Sequence, residues 1–249
     1  MSIQIAERYE AVVERVAQAA RRAGRESGDI TIVSVTKTWP VEVLLAAYEI
    51  GIRDFGENRA EELADKRLEL ENRLGAENGI IWHQIGDLQS RKTNLAADHA
   101  DVFHALDRMK IATRLSSSLE ENGRAQSNPL PVFLEVNISG EGSKAGFDCD
   151  RWEEDVNQQE MIREAAVSVA SLPGLKPVGL MTMAPWDVPD DDIRQVFRRT
   201  RKLAEWLQTT VPQCDLSSLS MGMTDDFEIA IEEGATHVRV GRAIFGARN

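Results

Sequence analysis

An α/β fold of the (β/α)₈ barrel type is what this 249-residue chain predicts. Three observations lead there. Short runs rich in β-branched and aromatic residues recur roughly eight times, a segment with helical spacing follows nearly every one, and glycine, proline or acidic residues mark the junctions. An open, doubly wound sheet is the competing arrangement, but it usually needs fewer strands, and no GxGxxG follows the first run. No linker, repeat or low-complexity stretch interrupts the pattern, so residues 1–249 read as one domain, with an extra helix at 1–24 packed on the barrel.

Residues 3–22 space Ile5, Tyr9, Val13, Val16 and Ala20 at steps of three and four, an amphipathic helix ending near Gly24. ITIVSV, 30–35, is apolar enough to be buried on both faces, as in a parallel sheet, and Lys37 stands at its C-terminal end. Pro40 suits the first turn of a helix that closes at Gly51. IRDFGEN gives a short second strand stopped by Gly56, a charged helix spans about Arg59 to Leu74, and IIWHQIG, 80–86, is the third strand. A helical connection leads to VFHALD, 102–107, and a helix from about Met109 to Asn122 follows. PVFLEVNIS, 131–139, reads as a central fifth strand. Beyond its glycine-rich loop, SGEGSKAGFD, lies a helix from about Trp152 to Leu172, ended by Pro173-Gly174. KPVGLMTMA is the sixth strand, and the acidic loop PWDVPDDD opens a helix running to about Thr209. LSSLSMGM, 216–223, is the seventh strand, and TDDFEIAIEEG a helix in which Asp225 and Glu228 have capping-box spacing. HVRVGRAIFG is the eighth strand and the close of the chain.

Composition excludes several functions. A formal charge of −12 argues against a surface that tracks nucleic acid or anionic lipid, since either needs a basic face. No apolar run approaches the length that spans a bilayer, and charges from Glu7 to Glu14 replace a signal peptide's apolar segment. Cytoplasm is the expected location. Cys149 and Cys214 have neither CxxC spacing nor His-rich surroundings, which points to reduced thiols and away from a metal or disulfide framework. A monomer is expected, because no segment reads as a dedicated interface.

In such a barrel the C-terminal strand ends converge on one mouth, and phosphate is often held by the loops after the seventh and eighth strands. Here those loops follow Ser220-Met221-Gly222 and Gly241-Arg242. Their glycines would let backbone N–H groups approach an anion, with the Ser220 hydroxyl as a further donor; the same glycines serve equally well as ordinary turn residues. Lys37 across the mouth suggests an aldehyde that carries a phosphate, and pyridoxal 5′-phosphate is the obvious candidate. Its aldehyde would form a Schiff base with Lys37. Arg239 would face the pyridine nitrogen, hold it unprotonated and weaken the ring as an electron sink; a plain salt bridge is the other fate of such an arginine. Asn58 could hydrogen-bond the ring hydroxyl or simply form a turn. His83 reads as a hydrogen-bonded core histidine, while His99, His104 and His237 lack metal-ligand spacing, so no metal is expected. Lys144, in GSKAGF, is the rival amine, expected to be a solvated loop charge.

The stretches VTKTWP, FGEN, WHQIGDLQSRK, VNISGEGSKAGF, GLMTMAP, LSMGMTDDFEIAIEEGAT and VRVGRAIFGAR, spread over 35–248, together closely resemble the pyridoxal phosphate homeostasis proteins. That family looks like the barrel domain of alanine racemase standing alone. The resemblance implies an internal aldimine on Lys37, with Asn58, Ser220, Gly222, Arg239 and Gly241 around it. It also implies a role in holding and delivering cofactor to apo-enzymes, and in amino-acid and keto-acid balance, without an established reaction. Trp39 stands where the family often has a second lysine, Arg91 where asparagine is usual, and Arg242 where threonine or serine is common. The last substitution exchanges a hydroxyl near the phosphate for a guanidinium.

A racemase of this kind also needs a base opposite the lysine, which alanine racemases take from a tyrosine. Tyr9 and Tyr48 fall on predicted helices, away from strand ends, so neither is placed for proton transfer. A binding protein is therefore the favoured reading. A weak racemase or transaminase, and a lysine Schiff-base aldolase on the same barrel, are the alternatives.

Overall fold

The computed structural model describes residues 2–142 and 144–247; Ser143 of the GSKAGF loop and Arg248 at the end of VRVGRAIFGAR lie outside the described residues. Eight parallel strands close on themselves: β1 (Thr31–Val35), β2 (Asp54–Glu57), β3 (Ile81–Gln84), β4 (Val102–Leu106), β5 (Leu130–Asn137), β7 (Leu175–Met181), β8 (Ser218–Met223) and β9 (His237–Val240). Pairing of β9 with β1 and of β4 with β5 completes the ring, as the (β/α)₈ expectation requires. A two-residue strand, β6 (Phe147–Asp148), pairs with the C-terminal end of β5 inside the glycine-rich loop, where the sequence reading has no strand.

Around the barrel run α2 (Val41–Glu49), α3 (Ala60–Leu74), α4 (Thr93–His99), α5 (Met109–Glu121), α6 (Arg124–Ser127), α7 (Val156–Ser171), α8 (Asp190–Thr210) and α9 (Phe227–Glu232). The N-terminal helix α1 (Ser2–Arg22) lies against α2, α9 and the last helix, α10 (Arg242–Phe245). Its buried stripe is Ile5, Val12, Val16, Ala19 and Ala20, so Val13, 40% exposed, is turned one position off the face that sequence spacing suggests. Arg15 to Glu228 (2.7 Å) and Arg22 to Glu232 (2.7 Å) fasten α1 to α9.

Three boundaries differ from the sequence reading, each for a local reason. The eighth barrel strand stops at Val240, because Gly241 turns the chain into α10 and sends Ile244 and Phe245 into the core. The helix placed from Trp152 begins at Val156, where Asp155 caps it by accepting the Asn157 N–H at 2.9 Å. The Asp225–Glu228 capping box does not form: Asp225 pairs with Arg242, Glu228 with Arg15, and Asp226 Oδ1 accepts the Met223 N–H at 2.5 Å.

The inside of the barrel is unusually polar. Rings of His83 on β3, His104 on β4, Phe133 on β5 and His237 on β9 meet within 4.6–6.4 Å. Since β9 does not pair with β3, β4 or β5, these contacts cross the interior, where barrels commonly carry branched apolar side chains.

Candidate functional site

A cavity of about 520 Å³ opens at the C-terminal ends of the strands, within the range typical of small-molecule sites. Lys37 reaches it from a tight turn just past β1, closed by the Trp39 N–H on the Thr36 carbonyl at 3.0 Å. Thr38, the third residue of that turn, has φ +69°, a left-handed conformation that favours glycine and costs a threonine on the order of 1–3 kcal/mol. Such a conformation persists only where neighbours over-determine it.

Those neighbours are charged and buried. Lys66 on α3 donates to the Thr36 carbonyl (2.8 Å), Glu57 Oε1 (2.8 Å) and Glu62 Oε1 (2.7 Å), which uses all three N–H groups of the ammonium. Glu57 Oε1 also accepts the Thr36 hydroxyl at 2.6 Å, and Glu62 Oε1 accepts the Thr38 N–H at 2.5 Å. The residues on both sides of Lys37 are thus tied to one cluster from behind. Burial pushes the Glu57 carboxyl up to about 7, although Lys66 and the Thr36 hydroxyl pull it back down.

Asn58 lines the cavity next to Lys37. It fits against Gly86, where a Cβ would come within 2.6 Å of the Asn58 side-chain oxygen, and its carbonyl accepts Gln84 Nε2 at 3.2 Å. The strand-end glycine of IIWHQIG is therefore room for Asn58.

From β9, the strand paired beside β1, comes Arg239, which is 5% exposed and lines the same cavity. Its Nη1 donates to the Ser220 carbonyl (2.8 Å) and hydroxyl (2.6 Å), and its Nη2 to the Thr182 carbonyl (3.1 Å). Burial pushes its pKa down to about 10, so the charge is retained at neutral pH. Glu135 on β5, also buried, is pushed up to about 7 by burial and then by Asp87 and Asp107, against the pull of Arg239.

Of the seven residues expected at the site, Lys37, Asn58, Arg239, Gly241 and Arg242 line this one cavity. Ser220 and Gly222 do not line it. The Ser220 side chain points into the barrel, fully buried, with its hydroxyl between Arg239 and His104 Nδ1 (2.7 Å). Gly222, at φ +94°, is needed for packing: a Cβ there would stand 2.6 Å from Ala230 on α9. The rim is instead formed by Met223, Thr224 and Asp225, residues the sequence reading passed over. The sequence reading already ends this strand at 223, and placing the mouth at the residues after it would have found them.

Arg242 and Asp225 meet across this rim at 2.5 Å, each side chain 58% exposed. Trp186, 68% exposed, stands at the edge of the same cavity. Lys144 is not the solvated charge expected. Its ammonium donates to the Ser139 hydroxyl (3.0 Å) and the Met183 carbonyl (3.1 Å), pairs with Glu141, and is only 15% exposed. Lys144 thereby ties its loop to the segment after β7. Among the described residues no group of three His, Cys, Asp or Glu side chains could hold a metal ion.

Comparisons with known proteins agree on one family. Residues 8–249 match the model of the alanine racemase N-terminal domain. The pyridoxal phosphate homeostasis protein of Escherichia coli is 39% identical over 248 residues, 98% of this chain and 97% of that one. Its counterpart in Pseudomonas aeruginosa is 40% identical over 245 residues, 98% of this chain and 96% of that protein. The structure of PipY from Synechococcus elongatus with pyridoxal phosphate bound superposes with a TM-score of 0.80 at 31% identity, covering 97% of this chain and 100% of PipY. With a closed barrel, a strand-end lysine in its mouth and relatives matched from end to end, this chain belongs to the pyridoxal phosphate homeostasis protein family.

Proposed function

We propose that the protein binds pyridoxal 5′-phosphate covalently through Lys37 and holds it for delivery to apo-enzymes in the cytoplasm, as a single-domain monomer without robust catalysis. The observation that carries this reading is the cavity itself. One lysine from the end of β1 and one buried arginine from β9 line the same space, with Gly241 and Arg242 beside them. A Cβ on Gly241 would lie 3.2 Å from the Val35 carbonyl, so glycine there lets the chain pass close to the end of β1, and backbone N–H groups at such a turn are suited to an anionic tail. When bound, the cofactor supplies an aldehyde carbon that Lys37 Nζ attacks, water leaving as the carbon–nitrogen double bond forms.

The chain's own groups orient and restrain that ligand. Asn58 offers a hydrogen bond to a ring hydroxyl, and Thr224 and Arg242 supply donors at the rim. Arg239 donates toward a ring nitrogen and, keeping its proton, leaves that nitrogen unprotonated. A second base is what turnover would need. Tyr9 lies on α1, Tyr48 places its hydroxyl on the Asn78 carbonyl at 3.1 Å, and neither is among the residues lining the cavity. This supports holding over turnover, and with it a part in amino-acid and keto-acid balance exerted through cofactor supply.

Protein incubated with the cofactor and desalted should absorb at about 420 nm, and Lys37→Ala should lose that band. Loaded protein mixed with an apo-enzyme should restore the acceptor's activity. Rapid racemisation or transamination of D- or L-amino acids would instead make it an enzyme, and a colourless protein trapped by borohydride only with a keto-acid would make it an aldolase.

A further inference from the structure

The barrel's histidines, to which cofactor holding gives no task, lie on a continuous path to Arg239. Asp54 opens β2 at the end of the barrel opposite the cavity, and its Oδ1 is 3.0 Å from His83 Nε2. His83 Nδ1 is 2.9 Å from His104 Nε2, His104 Nδ1 is 2.7 Å from the Ser220 hydroxyl, and that hydroxyl is 2.6 Å from Arg239 Nη1. The two ends fix the direction. A guanidinium can only donate, so Ser220 accepts from Arg239 and passes its own proton to His104 Nδ1. His104 then carries its hydrogen on Nε2 and donates to His83 Nδ1, and His83 Nε2–H donates to the Asp54 carboxylate. Burial holds the His104 imidazole well below its ordinary pKa, so the ring is neutral and has one hydrogen to place.

We propose that His104 and His83, with Ser220 and Asp54, are positioning residues for Arg239: a one-way hydrogen-bond chain across the barrel that fixes which edge of the guanidinium faces the ligand. Three of the five N–H groups of Arg239 are already committed to Ser220 and Thr182, so the ligand is offered only the remaining edge. Removing the acceptor at His104 frees the Ser220 hydroxyl to turn and lets the guanidinium rotate. His237 provides the internal control. It packs in the same ring cluster, 5.8 Å from His104, but its Nδ1 pairs with the Thr236 hydroxyl at 2.8 Å and lies off the chain.

This inference rests on the cofactor reading, and two measurements separate their fates. Long-range ¹H–¹⁵N NMR of the cofactor-free protein should show both His83 and His104 as neutral Nε2–H tautomers; an Nδ1–H tautomer or a charged ring at either position overturns the chain. Pyridoxal phosphate titrations should then show His104→Phe binding ~10-fold more weakly with a shifted absorption band, while His237→Phe leaves affinity and band within about twofold of the wild type. Equal effects of the two substitutions would reduce His104 to core packing and overturn the proposal. If His104→Phe does not fold, Asp54→Ala, which removes the acceptor at the far end of the same chain, must move the band in the same direction or the proposal fails. A wild type that develops no band refutes the cofactor reading, and the tautomers still decide the chain.

Discussion

Behind Lys37 the protein buries its charges, whereas on the rim beside it the charges are left in water. Lys66 and Glu57 have side chains 8% and 0% exposed and share their hydrogen bonds with the turn that carries Lys37. Arg242 and Asp225, on the rim past β9 and β8, are each 58% exposed. A group that must form a covalent bond gains from being held in one geometry, and a buried, fully hydrogen-bonded cation supplies that. A rim that admits and releases a charged ligand gains from contacts that water can replace. The lysine side is thus built for placement and the rim for exchange.

The largest expected effect breaks the first half of that contrast. Lys66→Met leaves Glu57 buried without its cation and removes the donor to the Thr36 carbonyl, and breaking such a pair costs about 3–5 kcal/mol. Urea denaturation should show it as a lowered midpoint with unchanged slope. Arg242→Met, measured alongside, should cost less than about 1 kcal/mol. Similar losses from the two substitutions would erase the distinction between the walls.

A second, smaller effect concerns pH. The Glu57 carboxyl titrates at about 7 in the folded protein against 4.5 for an ordinary glutamate, so between those values the folded state keeps a proton that the unfolded chain has released. Its contribution to stability is complete below 4.5 and is lost as pH rises through 7, by roughly 3 kcal/mol in all. Glu135, also pushed up to about 7, adds a slope of the same sign, while His237, pushed down to about 4, works oppositely below 6.5. The difference between wild type and Glu57→Gln isolates the one group. Unfolding free energies from pH 5 to 8 should therefore fall more steeply in the wild type than in Glu57→Gln; parallel curves would mean that Glu57 is ionised throughout.

The same contrast explains what could be read from sequence. The first two strand ends were legible because their β-branched or aromatic runs stop abruptly, and Lys37 and Asn58 follow such stops and share the cavity with Arg239, Gly241 and Arg242 of the last strand and its end. Ser220 and Gly222 lie inside β8, whose end at Met223 was legible, whereas the lining falls at that end and just beyond it, on Met223, Thr224 and Asp225. The buried cluster was invisible for another reason. Glu62 and Lys66 show helical i,i+4 spacing, but Thr36 follows β1 and Glu57 ends β2, and only the pairing of those two strands brings both to Lys66. Closure likewise gathers His83, His104 and His237 from three strands whose spacing in the chain carries no pattern.

The rim offers the smallest effect and the sharpest discrimination, because salt acts on exposed charge and barely on buried charge. Asp225 places a carboxylate beside Arg242 and against any anion in the cavity, so Asp225→Asn should tighten pyridoxal phosphate binding ~2–5-fold at low ionic strength. That gain should fade toward 1 M salt, where the screening length falls to about 3 Å, and stability should stay within about 0.5 kcal/mol of the wild type. Arg242→Ala should weaken binding with the same salt dependence. The cost of Lys66→Met, by contrast, should change little between the two salt concentrations, since its pairing with Glu57 is buried. If instead the Asp225 effect survives high salt, the rim pair is as sheltered as the lysine wall, and the mouth is a second rigid clamp with no exchangeable edge.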